Sequence, residues 1–500
     1  MNNGKICISV CAKTADELLE RVRQAEPLAD VIEARFDCVD HAEIEKAVSE
    51  LKANKPVLFT YRPISQGGSA PDDVMQRMMF WMSAVSNTPM ELEQILIDNE
   101  LDFGGVMQWS SEMPVIRSFH DFNGVPNDID SIYQELSANG IAKIAITTES
   151  IIDAIPLWNL LERARSDDKQ MIPIAMGEAG KWTRILGPAH GAFMTYAALD
   201  SGAETAPGQI SATDMIDVFR VKELDRETKV HGIIAGNTSY SVSPWMHNAA
   251  FKGAGLNRVF IPLQVADLGE FFRRMVRKET REVELNFAGF SVTNPHKQTI
   301  IGLLDELDET AAKIGAVNTV KLEDGKAYGY NTDAPGFIAP LKKAFGNLAR
   351  ANVAIAGAGG AARACIYALQ QEGANVSLFV RNKAKVAELA EEFKLEVFEL
   401  DHSPFVADIL VNATPLGTKG ENEDYTIAVA DQLRNVKLVY DLNYNPLDTL
   451  LIREARKADV PTLGGLEMIV AQGVKQFEIW TGESAPTEAM AAAVKKKLNL

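Results

Sequence analysis

The sequence has no continuous apolar run of the roughly 18 residues that a membrane-spanning helix needs. Its first residues, MNNGKICISV, carry neither a cationic segment nor a long apolar stretch, so we expect no signal peptide. Positive charge is also scarce: 50 Lys and Arg residues face 68 Asp and Glu residues, and the net charge is −18. This balance argues against non-specific binding to nucleic acid or anionic lipid, but local arginines can still bind an anionic small substrate.

Cysteine is rare as well, since Cys7, Cys11, Cys38 and Cys365 are the only four among 500 residues. They form neither a CxxC motif nor a paired framework, which predicts a protein of the reduced cytoplasm. Low-complexity segments and short repeats are missing too. The apolar fraction of 46% and the charged fraction of 24% are typical of globular protein. A chain of 500 residues is too long to fold around one hydrophobic core, so two or three domains are expected.

Residues 221–251, VKELDRETKVHGIIAGNTSYSVSPWMHNAAF, divide the chain. The first third of this stretch is dense in charge and has little apolar periodicity, which indicates a surface connection. The run HGIIAG that follows, ending in turn-forming residues, is typical of the first strand of a new domain. About 220 residues precede the break and about 280 follow it, each a large-domain length. The sequence therefore predicts two proteins joined end to end.

Eight short apolar runs alternate with helical patterns across the first half, which predicts a (β/α)8 TIM barrel over residues 1–222. The runs are KICISV, DVIEARF, PVLFTYR, ILIDNE, PVIRSFH, IAKIAIT, MIPIAM and, less clearly, APGQIS. Polar residues cluster where these runs end, which is the barrel face that carries active sites. They are Glu33, Arg35, Asp37, Arg62, His120, Arg184 and Gln209.

Lys143 lies inside the apolar run IAKIAIT. Burial disfavours the ammonium form and lowers a lysine's pKa, and a neutral amine can attack a ketone to form a Schiff base. Taken alone, the run favours the plainer alternative, a lysine at a strand edge whose ammonium reaches water.

Six motifs occur in order through this half: EARFD (33–37), FTYR (59–62), SFHDF (118–122), the lysine run, WTRIL (182–186) and APGQIS (206–211). Together they resemble type I 3-dehydroquinate dehydratase. The resemblance implies that Lys143 forms the Schiff base and that His120 is the general acid/base, which removes a proton beside the imine and later helps hydroxide leave. It implies substrate contacts from Glu33, Arg35 and Arg62 to hydroxyls, and from Arg184, Thr205 and Gln209 to the carboxylate.

Two positions depart from that family's pattern. Where the family usually has an acid four residues past the FTYR arginine, this chain has Gln66. A neutral amide can hold one tautomer of His120 but cannot stabilise its imidazolium as a carboxylate does. Thr205 stands in place of a serine, and its hydroxyl can serve the same role.

The second half carries SVSP (241–244), FAGFSVTNPHKQTI (287–300), IGAVNTV (314–320), GYNTDAPGF (329–337) and GLEMIVAQGVKQFEIWTG (465–482). From about residue 231 onward these blocks resemble shikimate dehydrogenase. The resemblance implies that Lys297 and Asp333 are the catalytic pair; without the flanking blocks, a surface ion pair would be the plainer interpretation. It implies substrate contacts from Ser241, Ser243, Thr293, Asn318, Tyr444 and Gln472. Ser291 and His296 depart from the commoner Asn and Phe of the lysine motif.

The segment VAIAGAGGAARACIYAL reads as a strand, a glycine turn and a helix, with Gly357, Gly359 and Ala362 forming the G-x-G-x-x-A dinucleotide fingerprint. The next strand, NVSLFV, ends in Arg381-Asn382-Lys383 rather than in an acid. This favours the 2′-phosphate of NADP; the alternative is that the two cations only begin a solvated helix. The predicted cofactor residues are Gly357, Gly359, Gly360, Ala361, Arg381, Asn382, Lys383, Asn412, Thr414 and Gly465.

The sequence thus predicts a cytoplasmic α/β enzyme with two consecutive activities, dehydration of 3-dehydroquinate and NADPH-dependent reduction of 3-dehydroshikimate to shikimate. Its expected partners are small-molecule substrates, with no nucleic acid, membrane or metal site. A TIM barrel over 1–222 would precede a substrate domain (230–335 with 466–500) and a Rossmann domain (336–465). Two alternatives remain: a degenerate barrel that only binds or scaffolds, or a dehydrogenase that prefers quinate, against which the paired serines argue.

Overall fold

The computed structural model describes residues 4–89, 95–100, 115–138, 140–401, 403–420 and 422–500. It forms two compact units, Met1–Lys229 with Ile261–Asn286, and Val230–Phe260 with Phe287–Leu500. Among the residues in these ranges, no helix is both long enough and apolar enough to cross a membrane.

The first unit is a barrel of eight parallel strands in the order β7-β6-β5-β4-β3-β2-β1-β8. The strands are β1 (Ile6–Val10), β2 (Val31–Arg35), β3 (Val57–Thr60), β4 (Ile95–Glu100), β5 (Val115–Asp121), β6 (Ile141–Thr147), β7 (Met171–Met176) and β8 (Thr195–Ala198). The barrel closes where the Phe193 N–H donates to the Met171 carbonyl, 2.8 Å away. The predicted barrel is therefore confirmed.

One strand of that prediction is wrong. The eighth strand is Thr195–Ala198, and the run APGQIS lies in the loop after it, touching the sheet only through the bridge between Ala198 and Ser211. The sequence TYAA is short and gives little signal, whereas the glycine and proline of APGQIS suit a loop.

The helices of this unit are α1 (Ala15–Ala25), α2 (Ile44–Ser49), α3 (Val74–Asn87), α4 (Ile129–Leu136), α5 (Ile155–Ser166), α6 (Lys181–Leu186) and α8 (Leu268–Phe271).

Alternate side chains of each strand point into the barrel and form layers, because the side-chain period of a strand is two. One layer is apolar and includes Cys7, Leu58, Leu96, Ile116 and Ile141. Two residues further along the same strands the layer becomes polar, with Ser9, Thr60, Asp98, Ser118 and Lys143, all of them buried. The barrel therefore carries its polar residues above an apolar floor.

The second unit contains two sheets. In the first, the strand order is β10-β9-β11-β13-β14-β12; in the second, the strands are parallel in the order β17-β16-β15-β18-β19-β20. The strands of the first are β9 (Lys229–Ala235), β10 (Arg258–Gln264), β11 (Phe287–Val292), β12 (Glu306–Leu307), β13 (Thr319–Glu323) and β14 (Lys326–Tyr330). The strands of the second are β15 (Asn352–Ala356), β16 (Asn375–Val380), β17 (Glu396–Glu399), β18 (Ile409–Asn412), β19 (Leu438–Asp441) and β20 (Thr462–Leu463).

The parallel sheet has the doubly wound order expected of a dinucleotide-binding fold, with β15 and its glycine turn at the centre. The helices of this unit are α7 (Ser243–Gly253), α9 (Glu309–Ile314), α10 (Asp333–Phe345), α11 (Gly360–Gln371), α12 (Ala387–Phe393), α13 (Leu450–Lys457), α14 (Leu466–Thr481) and α15 (Thr487–Lys497). Helix α14 packs its buried residues, among them Phe477 and Trp480, against α7 and β10 residues of the first sheet's core.

Cys11 and Cys38 form a disulfide, contrary to the expectation that no cysteines pair. Cys11 follows β1, and Cys38 lies in the turn after the neighbouring strand β2, so the parallel pairing of the two strands brings them together. Their separation of 27 residues matches no short motif. Cys7 and Cys365 are buried free thiols, as expected.

Reduction of this disulfide should lower the free energy of unfolding by about 3 kcal/mol, because the open chain regains the entropy of a loop of this length. Urea unfolding of the oxidised protein with and without dithiothreitol measures the difference. The double variant Cys11→Ser/Cys38→Ser is the matched control. A reductant effect of the same size in that variant, or none in the wild type, would contradict the pairing.

Two candidate active sites

The polar layer of the barrel is built around the ion pair of Lys143 and Asp98. The Lys143 Nζ lies 2.7 Å from Asp98 Oδ2 and 3.9 Å from Glu33 Oε1, and its side chain is 5% exposed. Burial alone would raise the pKa of Asp98, but the charges of Lys143 and Arg62 outweigh it and hold that pKa well below its usual range. Lys143 is therefore inside the barrel, which excludes the alternative of a lysine whose ammonium reaches water.

His120 lies above this pair and is held by two neighbours. The Gln66 Oε1 accepts a hydrogen bond from the His120 backbone N–H at 2.8 Å and lies 3.3 Å from Nδ1. The Arg62 Nη1 lies 2.8 Å from Nδ1 and 2.7 Å from Nε2 of the ring. Burial, together with the charges of Arg62 and Lys143, lowers the pKa of His120 well below its usual range. The imidazole is therefore neutral while Lys143 and Arg62 are both charged beside it.

Glu33, Arg35 and Arg62 lie at the same end of the barrel. Glu33 accepts hydrogen bonds from Ser9 and from Thr60, the latter at 2.9 Å. Arg35 donates to both carboxylate oxygens of Asp37, at 2.8 and 2.7 Å, and is nearly buried. Each predicted side chain is thus fixed by a neighbour before any substrate arrives.

Arg184 is buried in helix α6 and, among the described residues, has no carboxylate partner. Its Nη2 donates only weakly to the Pro207 carbonyl, 3.3 Å away, and burial lowers its pKa to about 10. Thr205 donates its backbone N–H to Gln209 Oε1 at 2.7 Å, and these two residues line a cavity of about 490 Å³. A buried arginine without a counter-ion is suited to an anionic ligand.

Two acidic residues of this site were not predicted. Asp98 and Glu100 lie on β4, two residues apart, so both point into the barrel. Burial and the nearby Asp98 raise the pKa of Glu100 to about 8. The run ILIDNE contained the signal, since two acids at alternate positions of a buried strand need internal partners.

The second candidate site lies in the second unit, around Lys297 and Asp333. The Lys297 Nζ lies 2.5 Å from Asp333 Oδ2, and Asn318 Nδ2 donates to the other carboxylate oxygen at 2.8 Å. Asn318 also lies 3.4 Å from Gln472 Oε1. The Lys297 side chain is 16% exposed, whereas Asp333 is buried. The sequence motifs around these residues, far apart along the chain, therefore meet in one cluster.

The remaining predicted substrate residues lie near the start of helix α7 or at the end of strand β11. Ser241 precedes α7 and accepts a hydrogen bond from the Ser243 N–H at 3.2 Å; both serines are buried. Thr293 directly follows β11, and its N–H donates to the Ile234 carbonyl at 3.0 Å. Tyr444 lies near the Val242 backbone, and burial raises the pKa of its hydroxyl.

Ser291, one of the two departures from the family pattern, has a buried partner. Its hydroxyl donates to Gln476 Oε1 at 2.8 Å, and Gln476 Nε2 donates to the Asn318 carbonyl at 3.1 Å and to Thr319 at 3.0 Å. Gln476 was not predicted, although it lies four residues after Gln472 on the same helical face. Ser291 is therefore linked to the Asn318 backbone indirectly, through the side-chain amide of Gln476.

The glycine turn has the shape that a dinucleotide needs. Gly357 has φ +107°, and a Cβ there would lie 2.8 Å from the Ala413 carbonyl oxygen, whereas the space beside Gly359 is open. Helix α11 begins at Gly360, followed by Ala361, so its free N–H groups face the turn. A Cβ at Gly465 would lie 2.2 Å from the Leu442 carbonyl, which demands glycine there.

The neighbouring residues complete this region. Arg381 and Lys383 are exposed at the end of β16, and Asn382 caps the short helix Lys383–Val386 through the Ala384 N–H. Asn412 accepts from Thr414 through its Oδ1 and donates to Asp441 at 3.0 Å. These residues fit an NADP molecule with its pyrophosphate on the helix and its 2′-phosphate near the cations.

Different protein-family models match the two halves of the chain. Residues 6–226 match the family model Type I 3-dehydroquinase, and residues 233–320 match Shikimate dehydrogenase substrate binding domain. Residues 340–441 match Shikimate / quinate 5-dehydrogenase, and residues 465–495 match Shikimate 5'-dehydrogenase C-terminal domain. The chain is 34% identical over 519 residues to the bifunctional 3-dehydroquinate dehydratase/shikimate dehydrogenase, chloroplastic, of Arabidopsis thaliana, with 97% of this chain and 83% of that protein covered.

The chain belongs to the bifunctional 3-dehydroquinate dehydratase/shikimate dehydrogenase family.

Two further similar proteins cover its second half alone. The shikimate dehydrogenase (NADP(+)) of Methanocaldococcus jannaschii is 40% identical over 285 residues, which is 55% of this chain and 99% of that protein. A solved shikimate dehydrogenase in complex with NADP+ has a TM-score of 0.50 and 38% identity, covering 55% of this chain and 97% of its own.

In this bifunctional enzyme Gln66→Glu should raise the pKa of His120, because a carboxylate stabilises the imidazolium. The dehydratase rate should be kept or increased, and the acidic limb of its pH–rate profile should move to higher pH by about one unit. Gln66→Met is the matched control: it keeps the length, loses the amide oxygen and should lower the rate. An unchanged pH profile in Gln66→Glu would show that residue 66 does not act on His120.

Proposed function

We propose that Lys143 and His120 carry out dehydration in the barrel and that Lys297 and Asp333 carry out reduction in the second unit. The observation that supports this most is the burial of each lysine against one carboxylate at a cluster of ordered polar side chains. The enzyme converts 3-dehydroquinate to 3-dehydroshikimate and then reduces that product to shikimate with NADPH. The product of the first site is thus the substrate of the second.

In the barrel, Lys143 must lose a proton before its amine attacks the substrate ketone. Asp98 stays ionised beside Lys143 and Arg62, so we assign the proton to the His120 imidazole. Its basicity rises once Lys143 is neutral, because the lysine charge is one of the causes that lower its pKa. His120 passes the lysine proton to the former ketone oxygen, which leaves as water when the iminium forms, so the imidazole is neutral again. Once the iminium has formed it acts as an electron sink, so the adjacent C–H becomes acidic. His120 then removes the C–H proton and returns it to the departing hydroxide, and water hydrolyses the imine to release the product and Lys143.

The substrate is oriented by charge at both ends of the site. Arg184 binds its carboxylate with help from Thr205 and Gln209, since this buried cation otherwise lacks a carboxylate partner among the described residues. Glu33, Arg35 and Arg62 bind its hydroxyls. This complete set of buried, ordered groups argues against a barrel that only scaffolds.

In the second unit, NADPH supplies the hydride when it is bound. Lys297 donates a proton to the oxygen that becomes negative as the ketone is reduced, and Asp333 holds the lysine in place. Asn318 fixes the far oxygen of Asp333, which keeps the carboxylate aimed at the lysine. Ser241 and Ser243 bind the substrate carboxylate, and Thr293, Asn318, Gln472 and Tyr444 contact its remaining polar groups.

NADP is held by the turn of Gly357, Gly359, Gly360 and Ala361, with Arg381, Asn382 and Lys383 at the 2′-phosphate and Asn412, Thr414 and Gly465 near the nicotinamide. We assign residues 1–222 to the dehydratase domain, 230–335 with 466–500 to the substrate domain and 336–465 to the NADP domain. The cytoplasm is our proposal for its location. Thiols are kept reduced there, so Cys11 and Cys38 would pair only on oxidation.

Borohydride added with 3-dehydroquinate should attach the ligand covalently to Lys143, because it reduces an imine to a stable amine. Mass spectrometry of the digested protein locates the adduct. Lys181 lines the cavity of the same unit and pairs with Glu178, so it serves as an internal control lysine. An adduct on Lys181 alone, or none in an active enzyme, would show that the Schiff-base assignment is wrong.

Lys297→Ala should cut turnover of 3-dehydroshikimate by about a hundredfold or more, the usual scale for a lost general acid. Adding Asp333→Ala should cost little more, because residues that act as a unit are non-additive. Dehydration of 3-dehydroquinate should be unchanged, since the barrel has its own lysine. Lys313→Ala, which breaks an exposed ion pair with Glu309, is the control and should not change turnover. Loss of dehydration in a folded Lys297→Ala would contradict separate sites.

A further inference from the structure

The first turn of helix α11 contacts Lys297 through Gly360 and the end of helix α9 through Arg363. A Cβ at Gly360 would lie 3.0 Å from both Cβ and Cδ of Lys297, so the lysine stem lies against the start of the helix. Arg363 is three residues further on the same helical face. Its Nε donates to the carbonyl of Ile314, the last residue of α9, at 2.6 Å.

Arg363 is fixed in this position by its other neighbours. It is buried, and its Nη2 donates to both carboxylate oxygens of Glu392, at 2.5 and 2.6 Å. Gly315 has φ +65°, and a Cβ there would lie 2.5 Å from Arg363 Nη2. The guanidinium therefore fills the space at the end of α9 and leaves no room for a side chain at residue 315.

The segment after α9 is joined directly to the proposed catalytic residues. The Val317 N–H donates to the Lys297 carbonyl at 2.7 Å, and Asn331 Nδ2 donates to the Ala316 carbonyl at 2.8 Å. One residue later, Asn318 donates to Asp333. A shift of residues 314–318 would therefore displace Lys297 and Asn318 together.

We propose that Arg363 is a positioning residue for the reduction. Its hydrogen bond to Ile314 holds residues 314–318 against helix α11, which follows the predicted cofactor turn. Arg363 thereby fixes the positions of Lys297 and Asn318 relative to the transferred hydride. The inference rests on the roles proposed above for Lys297 and Asp333. A misplacement of about 1 Å can cost up to a hundredfold in rate, so a tie outside the site is enough to control turnover.

Arg363→Ala should lower turnover of 3-dehydroshikimate by about ten- to a hundredfold. The isotope effect with NADPH deuterated at the transferred position should increase, because hydride transfer becomes slower than the other steps. The dissociation constant for NADP+, measured by calorimetry, should change less than about threefold, because Arg363 is not one of the predicted cofactor residues. Dehydration of 3-dehydroquinate should be unchanged, because the barrel is a separate unit, and retained NADP+ binding shows that the second unit is folded.

Two further variants separate positioning from simple stabilisation. Glu392→Gln removes only the partly exposed ion pair and should keep wild-type turnover. If Arg363→Ala does not fold, Arg363→Lys should show the same pattern at smaller size.

The inference is overturned if Arg363→Ala or, where that variant does not fold, Arg363→Lys keeps wild-type turnover. It is also overturned if Glu392→Gln loses as much, or if NADP+ affinity falls in proportion to turnover. Lys297→Ala separates this inference from the proposed function. Full reduction by Lys297→Ala would refute the catalytic pair itself, whereas an inactive Lys297→Ala beside a fully active Arg363→Ala would refute only the role of Arg363.

Discussion

The burial of Lys143 against Asp98 is the constraint on which the first unit depends. Leaving one partner of a buried ion pair without the other costs about 3–5 kcal/mol, so the barrel must deliver both to the same point. It does so because the two-residue period of parallel strands brings β4 and β6 side chains together across β5. The pair is surrounded by Arg62, which contacts Asp98, by Glu33, which lies near Lys143, and by His120, which contacts Arg62. Burial, together with the same charges that hold the Asp98 carboxylate ionised, keeps the His120 imidazole neutral.

The second unit uses a lysine–carboxylate pair differently. Lys297 is about three times as exposed as Lys143, 16% against 5% of the side chain, and it lies against the start of the cofactor helix rather than inside a barrel. A proton donor must reach substrate and recover its proton, whereas an imine-forming lysine gains from exclusion of water. Two of the four departures from the family patterns involve side-chain amides: Gln66 holds His120, and Gln476 links Ser291 to the Asn318 backbone.

Much of this architecture could be predicted from the sequence. Alternating apolar runs indicated the barrel, and the glycine turn with its flanking strands indicated the dinucleotide fold, because both patterns are local. The eighth strand was wrong since TYAA is too short to carry a period, and the disulfide was missed because only strand pairing brings Cys11 near Cys38. Asp98, Glu100, Gln476 and Arg363 were not singled out because their partners lie far away along the chain. The roles of the site residues remain predictions.

If the two sites of this chain work independently and in sequence, 3-dehydroquinate and NADPH supplied together should yield shikimate. An assay that follows both NADPH consumption and shikimate formation tests this. The wild type should consume one NADPH per 3-dehydroquinate. Lys143→Ala should consume none until 3-dehydroshikimate is added, and Lys297→Ala should accumulate 3-dehydroshikimate. Consumption of NADPH from 3-dehydroquinate by Lys143→Ala at the wild-type rate would contradict two independent sites acting in sequence.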